Sequence, residues 1–328
     1  MHMADALISP LVGGTMMAAT TAVAAYSIKK VQNDMDEKKI PLMGVMGAFI
    51  FAAQMINFSI PGTGSSGHLG GGLLLAIMLG PYGGFLTMAS ILLIQALLFG
   101  DGGLLAYGCN VFNLGFYTCF IAYPFIYKKF VKKTVSTGRI LAASLISSVV
   151  GLQMGSLSVV LETVLSGKTD LPFKTFLMFM QPIHIAIGII EGFITAAVVA
   201  FIRNSRPEIL ERAASGERLG AVSLKKILIV FFVLALIIGG GLSWLASSNP
   251  DGLEWSIFKT SGKPEIEASG GIYDTMSNVQ SKTALLPDYE LKTLSGIVGS
   301  VVTIGFVALV GFIANALRRR KINLKSRI

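Results

Sequence analysis

The chain has 328 residues, 53% of them hydrophobic and only 14% charged, with 37 glycines and a formal net charge of +9. Soluble domains carry about a quarter charged residues, so this composition and a mean hydropathy of +0.69 mark an integral membrane protein and exclude a water-soluble enzyme. The surplus of cations does not describe a nucleic-acid surface, because it falls in short clusters between apolar runs.

A spanning helix needs about 20 apolar residues, and the candidate runs in chain order are 9–28, 41–58, 70–80, 82–98, 108–127, 139–161, 175–202, 227–246 and 295–316. Basic clusters separate them: Lys29, Lys30, Lys38 and Lys39; Lys128, Lys129, Lys132, Lys133 and Arg139; Arg203, Arg206, Arg212, Arg218, Lys225 and Lys226; and Arg318, Arg319, Arg320, Lys321, Lys325 and Arg327. These are 21 of the 27 basic residues, and nine spans put all of them on one side. The positive-inside rule makes that side cytoplasmic, with the N-terminus outside and the C-terminus inside the cytoplasmic membrane.

Run 70–80 is too short to cross a bilayer at about 1.5 Å per residue. Parity requires it, however, so it is expected as a short, buried element ending at Gly80-Pro81 and sheltered by protein. The first span lacks a basic leader and its charges follow it, which favours an anchor over a signal peptide. Thr21 to Ala25 is small enough to resemble a cleavage site, and cleavage there would discard His2. The fold expected is all-α: a seven-span bundle over 1–203, a cytoplasmic connector at 204–226, and a two-span module over 227–328. An external segment, 247–294, lies inside that module and holds Pro250-Asp251-Gly252-Leu253-Glu254. Cys109 and Cys119 lie in apolar runs and suit small core positions.

Chemistry concentrates at the N-terminus, Met1-His2-Met3-Ala4-Asp5-Ala6-Leu7-Ile8-Ser9-Pro10. The terminal amine and the His2 amide close a five-membered chelate ring, and the amide and the His2 imidazole close a six-membered one. Three nitrogens then lie nearly in a plane, and a fourth completes the square that nickel(II) and copper(II) prefer. A disordered end would carry the same residues. Only His68 and His184 remain as further imidazoles. His68 ends the loop 59–69, which the topology places outside, on the same face as His2. Glycines 62, 64 and 67 suit a tight backbone there; the alternative for His68 is a hydrogen bond to backbone at a turn.

His184 and Glu191 stand seven residues apart, on one helical face. Ionisable residues in a span are functional candidates, so the pair describes either a structural hydrogen bond, a buried anchor, or the site of a metal-dependent membrane enzyme or sensor. Asp5 and Asp101 cap turns or accept a hydrogen bond from a ligating imidazole. Gln54, Asn57, Asn110 and Asn113 bond across helices, with one or two lining the site. The methionines, among them Met16, Met17, Met43, Met46 and Met55, read as packing. Gly44, Ala48 and Ala52 recur every four residues and allow close helix approach, within the bundle or against a partner. Gly167-Lys168-Thr169 lacks the first glycine of a phosphate loop, which is Glu162 here, so no nucleotide site is expected. Nor do three histidines arrange for nucleophilic catalysis.

Met1-His2 with Asp5, Ser9 and Pro10, the segment Phe51-Ala52-Ala53-Gln54-Met55-Ile56-Asn57-Phe58, the loop to Gly67-His68-Leu69-Gly70-Gly71, and Phe99-Gly100-Asp101-Gly102-Gly103 together resemble the substrate-binding (S) components of nickel and cobalt energy-coupling factor transporters, the NikM/CbiM family. The resemblance covers about 1–203, and Pro250 to Glu254 is similar to the small NikN-type subunit. It implies an S-component that captures nickel(II), with cobalt(II) for corrinoid synthesis as the alternative, through the Met1 amine, the His2 amide and imidazole, and the His68 imidazole. It further implies a transmembrane coupling protein of the NikQ/CbiQ type and two ATP-binding subunits of the NikO/CbiO type, in membrane lipid and without nucleic acid. The chain departs from the family pattern at Met3-Ala4 and Ala6-Leu7, and in a loop one residue longer before His68.

Overall fold

The structure is a computed structural model that describes residues 1–34, 38–131, 136–220, 222–263 and 266–325. Lys132, Lys133 and Arg327 of the basic clusters lie outside the described residues. The fold is mostly helical. In order, α1 is Pro10–Asp34, α2 Lys39–Gln54, α3 Gly72–Phe99, α4 Tyr107–Phe130, α5 Thr137–Ser166, α6 Phe173–Ser205, α7 Pro207–Ser215, α8 Lys225–Gly240, α9 Gly252–Ser261, α10 Ile272–Thr283 and α11 Lys292–Lys325. A two-stranded antiparallel hairpin, β1 Phe58–Ile60 and β2 Ser65–Gly67, stands between α2 and α3 with Ser59 opposite Ser66.

Among the described residues six helices are long and apolar enough to cross a membrane: 10–32 of α1, α3, α4, α5, α6 and Lys292–Ala316 of α11. Length alone therefore does not return the nine spans expected. The reasons are local. Helices α2 and α8 have 16 residues each, about 24 Å of rise against an apolar core of about 30 Å. Element α3 is not one rod. Gly80 takes φ 78° and ψ 165°, a conformation that glycine adopts freely, and the chain reverses there. A Cβ on Gly84 would sit 2.8 Å from Ala76 N, a contact that only two arms folded on each other allow. Pro81 follows the bend, where its missing N–H costs nothing. The short arm, 72–79, is buried along its whole length, as expected of the piece ending at Gly80-Pro81.

Small residues set the helix contacts. Helices α5 and α6 run together because Gly188 and Gly192 face backbone: a Cβ at Gly192 would lie 2.6 Å from Leu145 Cα. Gly239 of α8 meets Gly296 of α11, and Gly299 of α11 lies under the Phe51 ring. The basic segments after α1, α4 and α6 gather at one end of the bundle. Lys38 bonds Gly220 O and Lys128 bonds Ala214 O, while Lys39, Gly80 and Lys128 line a single cleft.

Candidate metal centre

The N-terminal arm is threaded into the bundle by its own backbone. Met3 N donates to Asn110 Oδ1 at 2.7 Å, and Asn110 Nδ2 and Gly103 N donate back to Met3 O at 3.1 and 2.9 Å. One side chain amide thus treats Met3 as a neighbouring strand would. Asp5 Oδ1 accepts from Ala106 N at 3.0 Å, and Tyr273 OH closes on Ile8 O at 2.9 Å. Held this way, Met1 is 5% exposed, and its amine lies 2.8 Å from His68 Nε2 and 2.6 Å from Asp251 Oδ2. The His2 and His68 rings stack at 5.0 Å, 11° from parallel.

His68 reaches this point because its loop is anchored on both sides. Glu191 accepts from Gly70 N at 2.8 Å and Gly71 N at 3.0 Å, and Gln54 Nε2 donates to Gly70 O at 2.8 Å. Gly67 packs where a Cβ would come within 2.5 Å of Ile187. His68 Nδ1 lies 3.1 Å from Leu69 O. A carbonyl only accepts, so Nδ1 carries the proton and Nε2 presents its lone pair to the amine. Burial first, then the Met1 ammonium, push both His2 and His68 down to about 3. Both rings are therefore neutral, as metal ligands must be.

Two carboxylates flank the rings. Asp251 caps α9: its Oδ1 accepts from Leu253 N at 2.7 Å and Glu254 N at 2.9 Å, and Glu254 reaches back to Asp251 N at 2.9 Å. Burial raises its carboxyl, but the Met1 ammonium and its hydrogen bond outweigh burial and hold it well below the usual carboxylate range. Asp101 Oδ1 lies 3.2 Å from His2 Nδ1, and its Oδ2 accepts from Tyr289 OH at 2.7 Å. Burial pushes this carboxyl up. Outside the rings opens a cavity of about 530 Å³ whose wall carries Asp5, Asp101, Asp251, Glu254 and Asp288 and no Lys or Arg, a field that draws cations inward.

The structure thus brings Met1, His2, His68, Asp5 and Asp101 together and gives His184 and Glu191 different partners. His184 Nδ1 donates to Met180 O at 2.7 Å and its buried Nε2 has no partner, while Glu191 holds the His68 loop. The two bond to different backbone segments, and Glu191 anchors the His68 loop. Asn57 lines the cavity, and its carbonyl accepts from Ser247 N at 2.7 Å. Of the two readings of Gly44, Ala48 and Ala52, within the bundle or against a partner, the Gly44 end packs within the chain. A Cβ on Gly44 would lie 3.2 Å from Ile304 O, and Ala48 and Ala52 are fully buried. The chain's own α11 covers the Gly44 end of this face, because small residues there let two helices close.

Asp251, Gln95 and Tyr289 were not expected at the site. Asp251 was legible as a helix cap in an external segment facing the same side as His68; nothing in the sequence showed the segment folding back. Ser66 N donates to Pro250 O at 2.8 Å and Trp255 Nε1 to Thr63 O at 3.0 Å, so it docks on the His68 hairpin itself. Among the described residues no group of three or more His, Cys, Asp or Glu side chains is placed to hold a metal.

Residues 2–209 match the family model described as "Cobalt uptake substrate-specific transmembrane region" (CbiM). The chain belongs to the CbiM family. Residues 225–316 match a PDGLE domain, so this CbiM-family chain carries a fused NikN-type module. It is 36% identical over 219 residues to the Archaeoglobus fulgidus chain named "Putative fused nickel transport protein NikMN", covering 67% of this chain and 71% of that one. It is 30% identical over 224 residues to the fused nickel transport protein NikMN of Rhodobacter capsulatus, covering 64% of each. A crystal structure of a truncated transition metal transporter superposes with a TM-score of 0.56 at 32% identity, over 62% of this chain and 99% of that one. These relatives are transporters, and the CbiM-family chain is a multi-pass membrane protein of metal transport.

Proposed function

We propose that the chain is the metal-capture subunit of an ATP-driven energy-coupling factor transporter that imports nickel(II) across the cytoplasmic membrane. The observation that carries this is the Met1 amine, buried 2.8 Å from His68 Nε2 with the His2 ring stacked beside it. The four donors are the Met1 amine, the His2 amide, His2 Nδ1 and His68 Nε2. Metal replaces the protons of the amine and the amide, and a planar four-nitrogen set suits nickel(II). Asp101 and Asp251 supply counter-charge, and the carboxylate-lined cavity concentrates the cation outside.

The rest of the reading follows from the family and from charge. Seven spans with the short 72–79 arm counted among them form the capture domain over 1–203, 204–226 connects, and 227–328 forms the two-span module. The N-terminus faces outside and the basic end of the bundle faces the cytoplasm, toward a NikQ/CbiQ-like coupling protein and two NikO/CbiO-like ATPases. Nucleotide is theirs to bind. Cobalt(II) is the second reading, favoured by the family description. Uptake of ⁶³Ni by cells carrying the chain with its partners tests the proposal: uptake is expected with wild type and absent with His2→Ala or His68→Ala. Uptake by both variants at the wild-type rate would overturn it.

A further inference from the structure

The proposed centre asks for one particular nitrogen of His2. A six-membered ring that starts at the His2 amide closes through Nδ1 and not through Nε2, so the proton of the neutral imidazole must stand on Nε2. Which nitrogen carries it is set by what the other side of the ring meets.

Behind the ring lie two buried side-chain amides, Gln54 at the end of α2 and Gln95 in α3, 5% and 1% exposed. A backbone oxygen fixes their direction. Gly70 O only accepts, so Gln54 turns its NH₂ toward it, at 2.8 Å. Gln54 Oε1 is then met by Gln95 Nε2 at 2.9 Å. Gln95 Oε1 is left over, and it and His2 Nε2 are both buried with no hydrogen-bond partner. The Gln95 side chain bears on the His2 ring, so the two unpartnered atoms belong to neighbouring side chains.

We propose that Gln95, oriented by Gln54 and Gly70 O, accepts the Nε2–H of His2 and so holds the ring in the tautomer that offers Nδ1 to the metal. Gln95 is a positioning residue, and the inference rests on the nickel reading above only for its consequence in binding. An ionised Asp101, 3.2 Å from Nδ1, pulls the other way. A proton on Nδ1, however, leaves Nε2 and Gln95 Oε1 as two buried acceptors face to face, which costs more than leaving either one solvated. The neighbouring carbonyl, Leu69 O, takes the Nδ1–H of His68. Two consecutive carbonyls of one loop thus set the two imidazoles in opposite senses.

The test uses the full-length protein in detergent, with ¹⁵N-labelled histidine and long-range ¹H–¹⁵N correlation. Three histidines keep the spectrum simple, and His68→Gln and His184→Gln assign it. In metal-free wild type the His2 signal is expected as the Nε2–H tautomer; the Nδ1–H form would overturn the relay, and this reading needs no variant of Gln95 to fold. Gln95→Leu is expected to bind nickel(II) about ten- to a hundredfold more weakly and to mix the tautomers. Gln95→Glu in its protonated form keeps the shape, O–H toward Gln54 and C=O toward His2, and is expected to restore both to near wild type. Wild-type affinity in Gln95→Leu would overturn the proposal. A wild type that binds no nickel would instead refute the centre's assignment, and the His2 tautomer would still decide the relay.

Discussion

The Met1 amine has a partner on each side, His68 Nε2 and Asp251 Oδ2, and a metal can take its lone pair only by displacing its proton. The His2 amide loses a proton as well. The imidazoles contribute none between pH 6 and 8, because burial, then the ammonium, hold both near 3. Loss of the amide proton alone makes the proposed centre's nickel affinity fall at least about tenfold for each unit of acidification. Calorimetry across pH 6–8 measures this slope; a pH-independent affinity would contradict the amine and amide as donors. His184 stands outside the donor set, so His184→Ala is expected to keep nickel binding within a few-fold of wild type in the same assay, whereas His68→Ala loses it. Asp251 is a helix cap and counter-ion together. Asp251→Ala is expected to destabilise the chain by about 1 kcal/mol through the lost cap alone, seen as a melting temperature a few degrees lower.

At the scale of elements, close approach replaces apolar attraction, which lipid does not supply. The α3 reversal is the sharpest case. Gly80→Ala forces a side chain into φ 78° and is expected to cost about 1–2 kcal/mol, read as a lower melting temperature of the purified protein. Gly44→Leu is expected to destabilise the isolated chain, since α11 leaves no room there; a variant as stable as wild type would show that this face is not closed within the chain. These contacts explain what the sequence concealed. The run 70–80 was legible as a buried piece from its length and from Gly80-Pro81. The small-residue face on α2 was legible as an interface, but spacing carries no information about which helix occupies it.

For the molecule as a whole, charge clusters and apolar runs located the helices, and their common end is visible in Lys39 and Lys128 lining one cleft, with Lys38 bonded to Gly220 O. The sequence divides the chain into a bundle and a two-span module, with no sign of contact between them. The module instead supplies Asp251 and Tyr289 to the ring pair, with Gln280 Nε2 donating to Gly102 O at 2.8 Å beside them. That closure depends on contacts about 180 residues apart in the chain, which no local pattern encodes. Met1 and His2 stood out because chelation is a matter of bond count, and His68 because topology put its loop on their face; Gln95 did not, because an amide inside a helix has the same sequence signature whatever it faces.

The central claim is that the chain's own first amine is a ligand. It is tested most directly by the nickel content and X-ray absorption spectrum of the purified protein, its native Met1 confirmed by mass spectrometry, beside a form extended by one glycine before Met1. One nickel per chain in a planar four-nitrogen environment is expected for the native form and none for the extended one. Equal nickel content and identical spectra in both would contradict the account.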